Sequence, residues 1–166
     1  RGLTLPVTEG LPMTATDVRV HTQMAATPAL WPLWPFLPVI RHTPETIELA
    51  STLRVEGSTY DTIRAYELWM AVNTAYDLNV PVPEGDAVDD FLFRSKRGFC
   101  EQIASSLVVM LRSQGVPARL ATGYVPGERD RISGVFEVRA SDAHAWVEVW
   151  FPESGWQAFD PTATVP

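Results

Sequence analysis

The chain has 166 residues, 46% of them hydrophobic, and carries 13 basic against 20 acidic side chains for a net charge of -7. That length suits one folded domain with an extension, and the acidic balance argues against broad attraction to nucleic acid or anionic lipid. The single cysteine, Cys100, excludes an internal disulfide. The three histidines, His21, His42 and His144, are scattered, and no Cys-x-x-Cys or His-Glu-x-x-His pattern points to a metal or cofactor.

Residues 1–23 alternate weakly around Val18–Val20 and read as an extended lead-in with no catalytic motif. The run MAATPALWPLWPFLPVI, residues 24–40, is apolar but carries four prolines. It is shorter than the roughly 20 helical residues that a bilayer core requires, and prolines this dense break a helical ladder. Its Trp31 and Trp34 have two readings: rings that cover part of a core, or a surface facing an envelope partner. The expected organisation is an N-terminal extension over residues 1–43 and a folded core over 44–166. The opening at Arg1 and the stop at Pro166 are compatible with excision from a longer protein.

Thr43-Pro44-Glu45 has the chemistry of a helix entrance: a capping hydroxyl, a proline at the first helical position and an anion in the first turn. The helix is expected to run to about Leu53. Gly57 interrupts, and Ser58, with Asp61 three residues on, starts a second helix over 59–73. There Ile63, Tyr66 and Met70 form a stripe that Leu68, Trp69 and Val72 widen, as in a helix buried on more than one side. Residues 76–93 hold Pro81, Pro83 and Gly85 and read as an ordered connection. Asp86, Asp89 and Asp90 lack calcium-loop spacing and read as solvated or helix-starting carboxylates.

The strongest periodicity follows Cys100. Ile103, Ala104, Leu107, Val108 and Leu111 lie at offsets 3, 4, 7, 8 and 11 from it, one face of a helix. Gly98 permits a close approach before this helix, and Gly115 and Pro117 end it. Residues 118–125, 134–139, 143–151 and 156–160 then read as antiparallel strands. Helices first and strands later predict an α+β fold with a sheet against the cysteine helix.

At a helix start, Cys100 would meet unpaired backbone amides and the positive helix end, both of which favour a thiolate. Alternation through DAHAWVEVW places His144, Trp146, Glu148 and Trp150 on one strand face and Ala145, Val147, Val149 and Phe151 on the other. The second set is a core face and the first suits a cleft wall. An imidazole there is able to deprotonate Cys100 and later protonate a leaving amine. Asp160, after GWQAF, is placed to select the tautomer of His144 if the strands pair. Each residue also has a structural reading: a buried thiol, a hydrogen-bonded histidine, and an aspartate in a strand-ending turn before Pro161.

The blocks RGFCEQIASSLVVMLRSQGVPARLATGYVPG, DAHAWVEVWF and GWQAFDPT resemble bacterial transglutaminase-like domains over about residues 60–163. The upstream YDL, PVPEG and VDDFLF pieces resemble, more narrowly, the extracytoplasmic domain of membrane-anchored members. The resemblance implies a papain-like transglutaminase core with Cys100 as nucleophile, His144 as base and acid, and Asp160 as the carboxylate that orients it. It implies a soluble domain on the periplasmic or cell-envelope side of a membrane-anchored parent. Gln102 stands where relatives often carry histidine.

The implied reaction is acyl transfer from a glutamine carboxamide to a primary amine through a Cys100 thioester, without a cofactor. Water as acceptor would make the same centre an amidase or peptidase, and a silent interaction module is the non-enzymatic alternative. The Cys100 backbone amide is one expected oxyanion donor, and Trp146, Gln102 and Tyr124 are candidates for the second or for a subsite. Trp150 and Trp156 are candidate channel walls, and Arg119 a candidate carboxylate holder. Arg129 and Arg131 fall in an expected solvent-facing hairpin, and Glu101 and Asp142 in local loops.

Overall fold

Residues 43–80, 82–83 and 85–162 are described by a computed structural model; residues 1–42, with the Pro-Trp segment, lie outside the described residues, as do residues 163–166. Helix α1 (Pro44–Leu53) starts at Thr43, whose side-chain oxygen accepts the Thr46 amide. The hydroxyls of Thr43 and Thr46 both donate to Asp89 Oδ1, a residue only 5% exposed. This explains a buried carboxylate: it ties the start of α1 to a chain segment more than 40 residues on. Helix α2 (Thr59–Asn73) starts at Ser58, which caps Asp61, and buries Ile63, Tyr66 and Met70. The Tyr66 hydroxyl donates to the Ala50 carbonyl at 2.7 Å and binds α2 to α1; burial pushes this phenol up to about 12.

The connection to the cysteine helix contains a short parallel pair. Strand β1 (Ala75–Tyr76) lies beside β2 (Arg97–Gly98), with Ala75 opposite Arg97 and Tyr76 opposite Gly98. Between them, the single turn α3 (Ala87–Asp89) continues into a π-helical turn over Asp90–Arg94. Asp86 caps α3 by accepting the Val88 and Asp89 amides, so of the three aspartates of this segment Asp86 starts a helix and Asp89 is interior. Among the described residues, no group of histidine, cysteine, aspartate and glutamate has metal-binding geometry.

Helix α4 (Cys100–Ser113) carries the stripe read from the sequence: Ile103, Ala104, Leu107, Val108 and Leu111 are all buried. Full burial of each leucine stabilises the fold by about 1.5–3 kcal/mol. This face packs on a three-stranded antiparallel sheet of order β3-β6-β7, comprising β3 (Ala118–Tyr124), β6 (Ala143–Phe151) and β7 (Gly155–Phe159). Ala145, Val147 and Val149 of β6 point into the core as alternation requires. The expected 134–139 strand is reduced to a two-residue pairing of β4 (Glu128–Arg129) with β5 (Phe136–Glu137) in an exposed hairpin. The architecture is α+β, a cysteine-bearing helix against an antiparallel sheet.

Candidate active site

Cys100 is the first residue of α4, and the first α-helical hydrogen bond runs from the Ile103 amide to the Phe99 carbonyl at 3.1 Å. The amides of the opening turn, Cys100 included, therefore have no partner within the helix. The Phe99 amide is satisfied by Gln102, whose Oε1 accepts it at 3.1 Å. Gln102 thus caps the helix entrance through its Oε1. Gly98 makes this entrance fit: a Cβ there would lie 2.8 Å from Phe91 Cδ2 and 2.9 Å from Gln102 Cβ. Cys100 is 9% exposed, fixed by the buried helix behind it.

His144 is the second residue of β6, opposite Gly123 of β3. Its Nε2 lies 2.8 Å from Asp160 Oδ2, and the ring is near-parallel to the Trp146 indole, with centroids 6.4 Å apart. Asp160 follows the last residue of β7, and its other oxygen accepts the Thr162 amide at 2.9 Å and the Thr162 hydroxyl at 2.7 Å. Both oxygens of the carboxylate are engaged, so the turn at Pro161 fixes its orientation toward the imidazole. The strand-end turn and the histidine contact coexist in one residue.

Tyr76 was not singled out in the sequence, because two residues of strand carry no readable period. The β1–β2 pairing sets Tyr76 opposite Gly98, two residues before Cys100 and the start of α4, and its phenol responds to Cys100. Burial raises the pKa of this phenol, the Cys100 sulfur adds to the rise, the Cys100 amide opposes it, and Asp160 contributes a further rise. The Tyr76 phenol is thus influenced by both Cys100 and Asp160.

On the other side of Asp160, a cavity of about 520 Å³ opens between α2 and β7, lined in part by Tyr60, Arg64, Glu67, Phe159 and Asp160. Glu67 is only 9% exposed and is paired with the Arg64 guanidinium. Burial holds its carboxyl above the usual glutamate range; Arg64 pulls it down by charge and hydrogen bond, and Asp160 pushes it up.

The remaining candidates are distributed. Trp146 shares the His144 face of β6. Tyr124 ends β3 opposite Ala143, on the other face of the sheet from His144, and is 43% exposed. Arg119 donates from Nε to Glu148 Oε2 at 2.7 Å and stacks 4.1 Å over Trp156, which itself meets Trp150 edge-on at 5.6 Å. Arg119, Glu148, Trp156 and Trp150 form a mutual cover on the outer sheet face. Asp142 accepts the Arg139 amide at 2.6 Å, and Glu101 is exposed in the first turn of α4.

Residues 47–161 match the transglutaminase-like superfamily in its core region. The chain is 46% identical over 91 residues to a protein-glutamine gamma-glutamyltransferase of Pseudomonas aeruginosa, covering 55% of this chain and 14% of that protein. It is 42% identical over 111 residues to the uncharacterized protein YebA of Bacillus subtilis, covering 62% of this chain and 15% of that one. The chain thus spans about a seventh of the length of these curated relatives. Among solved structures, the periplasmic domain of TgpA from Pseudomonas aeruginosa, bound to ethylmercury, superposes with a TM-score of 0.70 at 38% identity, covering 78% of this chain and 48% of that one. The cysteine-headed helix, its antiparallel sheet and the match over 47–161 place this chain in the transglutaminase-like superfamily.

Proposed function

We propose that the chain is the catalytic domain of a cysteine acyltransferase that moves a glutamine acyl group to a primary amine. The observation that carries this reading is the 2.8 Å contact of His144 Nε2 with Asp160 Oδ2. It is supported by Tyr76, whose phenol feels both that carboxylate and Cys100. The Cys100 thiolate attacks the carboxamide carbon, and the carbonyl oxygen becomes an oxyanion. The Cys100 amide and the Tyr76 hydroxyl are read as the two donors that receive it. His144 protonates the departing nitrogen, ammonia leaves, and a thioester remains on Cys100. An amine then attacks the thioester and gives its proton to His144, and the thiolate returns.

Cell-envelope placement follows from the same comparison. The chain resembles a periplasmic domain, and among the described residues no helix is long and apolar enough to cross a membrane. The domain is read as the extracytoplasmic part of a membrane-anchored parent.

The test incubates the full chain with a glutamine-containing peptide and an excess of a biotinylated primary amine, and follows the products by mass spectrometry. Amide-linked amine that disappears in Cys100→Ala supports transfer. Glutamate product alone, under excess amine, replaces the acyltransferase reading with a hydrolase; no product of either kind replaces it with a silent interaction module.

A further inference from the structure

Tyr76 lies on a strand of two residues, in register with Gly98 just before Cys100. Two ladder hydrogen bonds and one ion pair hold that strand. The Ala75 amide donates to the Lys96 carbonyl at 2.8 Å, and the Asp77 amide donates to the Gly98 carbonyl at 2.8 Å. The Asp77 carboxylate also forms an ion pair with Arg97 across the same two strands. Asp77 is well buried for a charged group, with a side chain 13% exposed, and its Oδ1 accepts the Asn79 amide at 2.8 Å, so the carboxylate is held by the loop as well as by Arg97. Lys96, which supplies the first of these carbonyls, has φ +53 and is the one non-glycine with positive φ among the described residues. A left-handed lysine is strained and persists only where its surroundings over-determine it. The register places Tyr76 opposite Gly98, two residues before Cys100.

We infer that Asp77 and Arg97 form a positioning clamp for Tyr76, holding its hydroxyl at the Cys100 amide so that both groups converge on one oxyanion. The inference rests on the reading of Tyr76 as an oxyanion donor. Neither Asp77 nor Arg97 touches the reacting atoms; they act through the tyrosine that precedes Asp77 and the glycine that follows Arg97. An oxyanion donor displaced by about an ångström loses much of its effect, since such hydrogen bonds weaken steeply with geometry. A clamp on a two-residue strand is therefore a control on rate rather than on the global fold.

The test separates oxyanion binding from thiol chemistry. A peptide bearing glutamic γ-semialdehyde adds Cys100 to its carbonyl, and the oxygen gains a proton or remains an oxyanion in the hole. Chloroacetamide alkylates the same sulfur with loss of chloride and makes no oxyanion. In the full chain, Tyr76→Phe is expected to weaken aldehyde binding by about 10–100-fold, within the range set by loss of one oxyanion donor. Asp77→Asn and Arg97→Ala are expected to weaken it by about 3–10-fold, Arg97→Lys to retain most of it, and none to change the chloroacetamide rate by more than about twofold. In the Tyr76→Phe background, Asp77→Asn and Arg97→Ala should add nothing, because the group they position is gone.

An Asp77→Asn or Arg97→Ala protein that binds aldehyde as the parent does, while Tyr76→Phe does not, overturns the clamp and leaves the oxyanion reading standing. Full additivity with Tyr76→Phe also overturns it. A Tyr76→Phe protein with unchanged aldehyde affinity overturns the oxyanion reading and the clamp together. Circular dichroism and melting identify any variant that fails to fold, and the other member of the ion pair then decides the outcome.

Discussion

The contact of His144 Nε2 with Asp160 Oδ2 at 2.8 Å engages one ring nitrogen, which leaves Nδ1 as the one that the proposed reaction would use for proton transfer with Cys100. Asp160 is itself immobilised by two hydrogen bonds from Thr162, so it accepts from the ring without following it. Asp160→Asn keeps the shape and turns an acceptor into a group that donates to Nε2, which forces the proton onto Nδ1. The expected result is a loss of about 10³–10⁴-fold in turnover of the glutamine peptide, by analogy with other carboxylates that orient a catalytic histidine. Melting by circular dichroism should change little. Turnover within tenfold of the parent would remove Asp160 from the reaction.

The parts of this arrangement that the sequence made readable are those with a period or a strong local rule. The stripe from Ile103 to Leu111 has the 3.6-residue repeat of a helix, and it is buried as that repeat requires. The strand through His144 has a period of two, and Ala145, Val147 and Val149 are inward while His144 and Trp146 are on the other face. Tyr76 was illegible for a physical reason: its strand spans two residues and pairs with a segment about twenty residues away, so only tertiary contacts define it. Gln102 is a candidate oxyanion or subsite residue by its position in the cysteine block. Its Oε1 also accepts the Phe99 amide, a capping role that a side-chain amide three residues into a helix fills readily.

Gly98→Ala tests how tightly the cysteine helix is seated. The added Cβ would approach Phe91 Cδ2 to 2.8 Å and Gln102 Cβ to 2.9 Å, and neither is the free end of a flexible chain. Overpacking of this kind costs about 1–3 kcal/mol. Urea denaturation should show a lower midpoint with an unchanged slope, and the chloroacetamide rate at Cys100 should change because the helix entrance moves. Equal midpoints would mean that β2 shifts freely, at odds with its place beneath Phe91.

Arg119 offers a test of the outer sheet face that spares the proposed centre. Its guanidinium is shared between the Glu148 carboxylate and the Trp156 ring, with side chains 25% and 18% exposed for Arg119 and Glu148. Arg119→Ala leaves a half-buried carboxylate without its cation and uncovers the indole, a loss of about 1–3 kcal/mol. Arg119→Lys keeps charge but lacks the planar fork, and should cost roughly half as much. Peptide turnover, measured well below the melting temperature, should stay within about threefold of the parent for both variants. A large fall in turnover with little change in melting would assign Arg119 to substrate binding instead.

Glu67 gives the clearest dependence on pH. Burial is the largest influence on its carboxyl and raises it above the usual glutamate range, against the opposing charge and hydrogen bond of Arg64. A carboxyl raised in the folded state binds its proton more tightly there than in the unfolded chain. Its neutral form therefore favours folding, and stability is lost as pH rises through the folded-state value. Glu67→Gln removes that titration and keeps the shape. The two proteins should melt at similar temperatures below the ordinary glutamate range, and the glutamine variant should melt progressively higher as pH rises, reaching a constant advantage above the raised value. Melting curves taken in steps between pH 4 and pH 8 (about half a unit apart, to resolve one titrating group) check this. An advantage for the parent that grows with pH would mean that the Arg64 pair outweighs burial. The carboxylate beside Asp160 would then be a stabilising ion pair rather than an anion held at a cost.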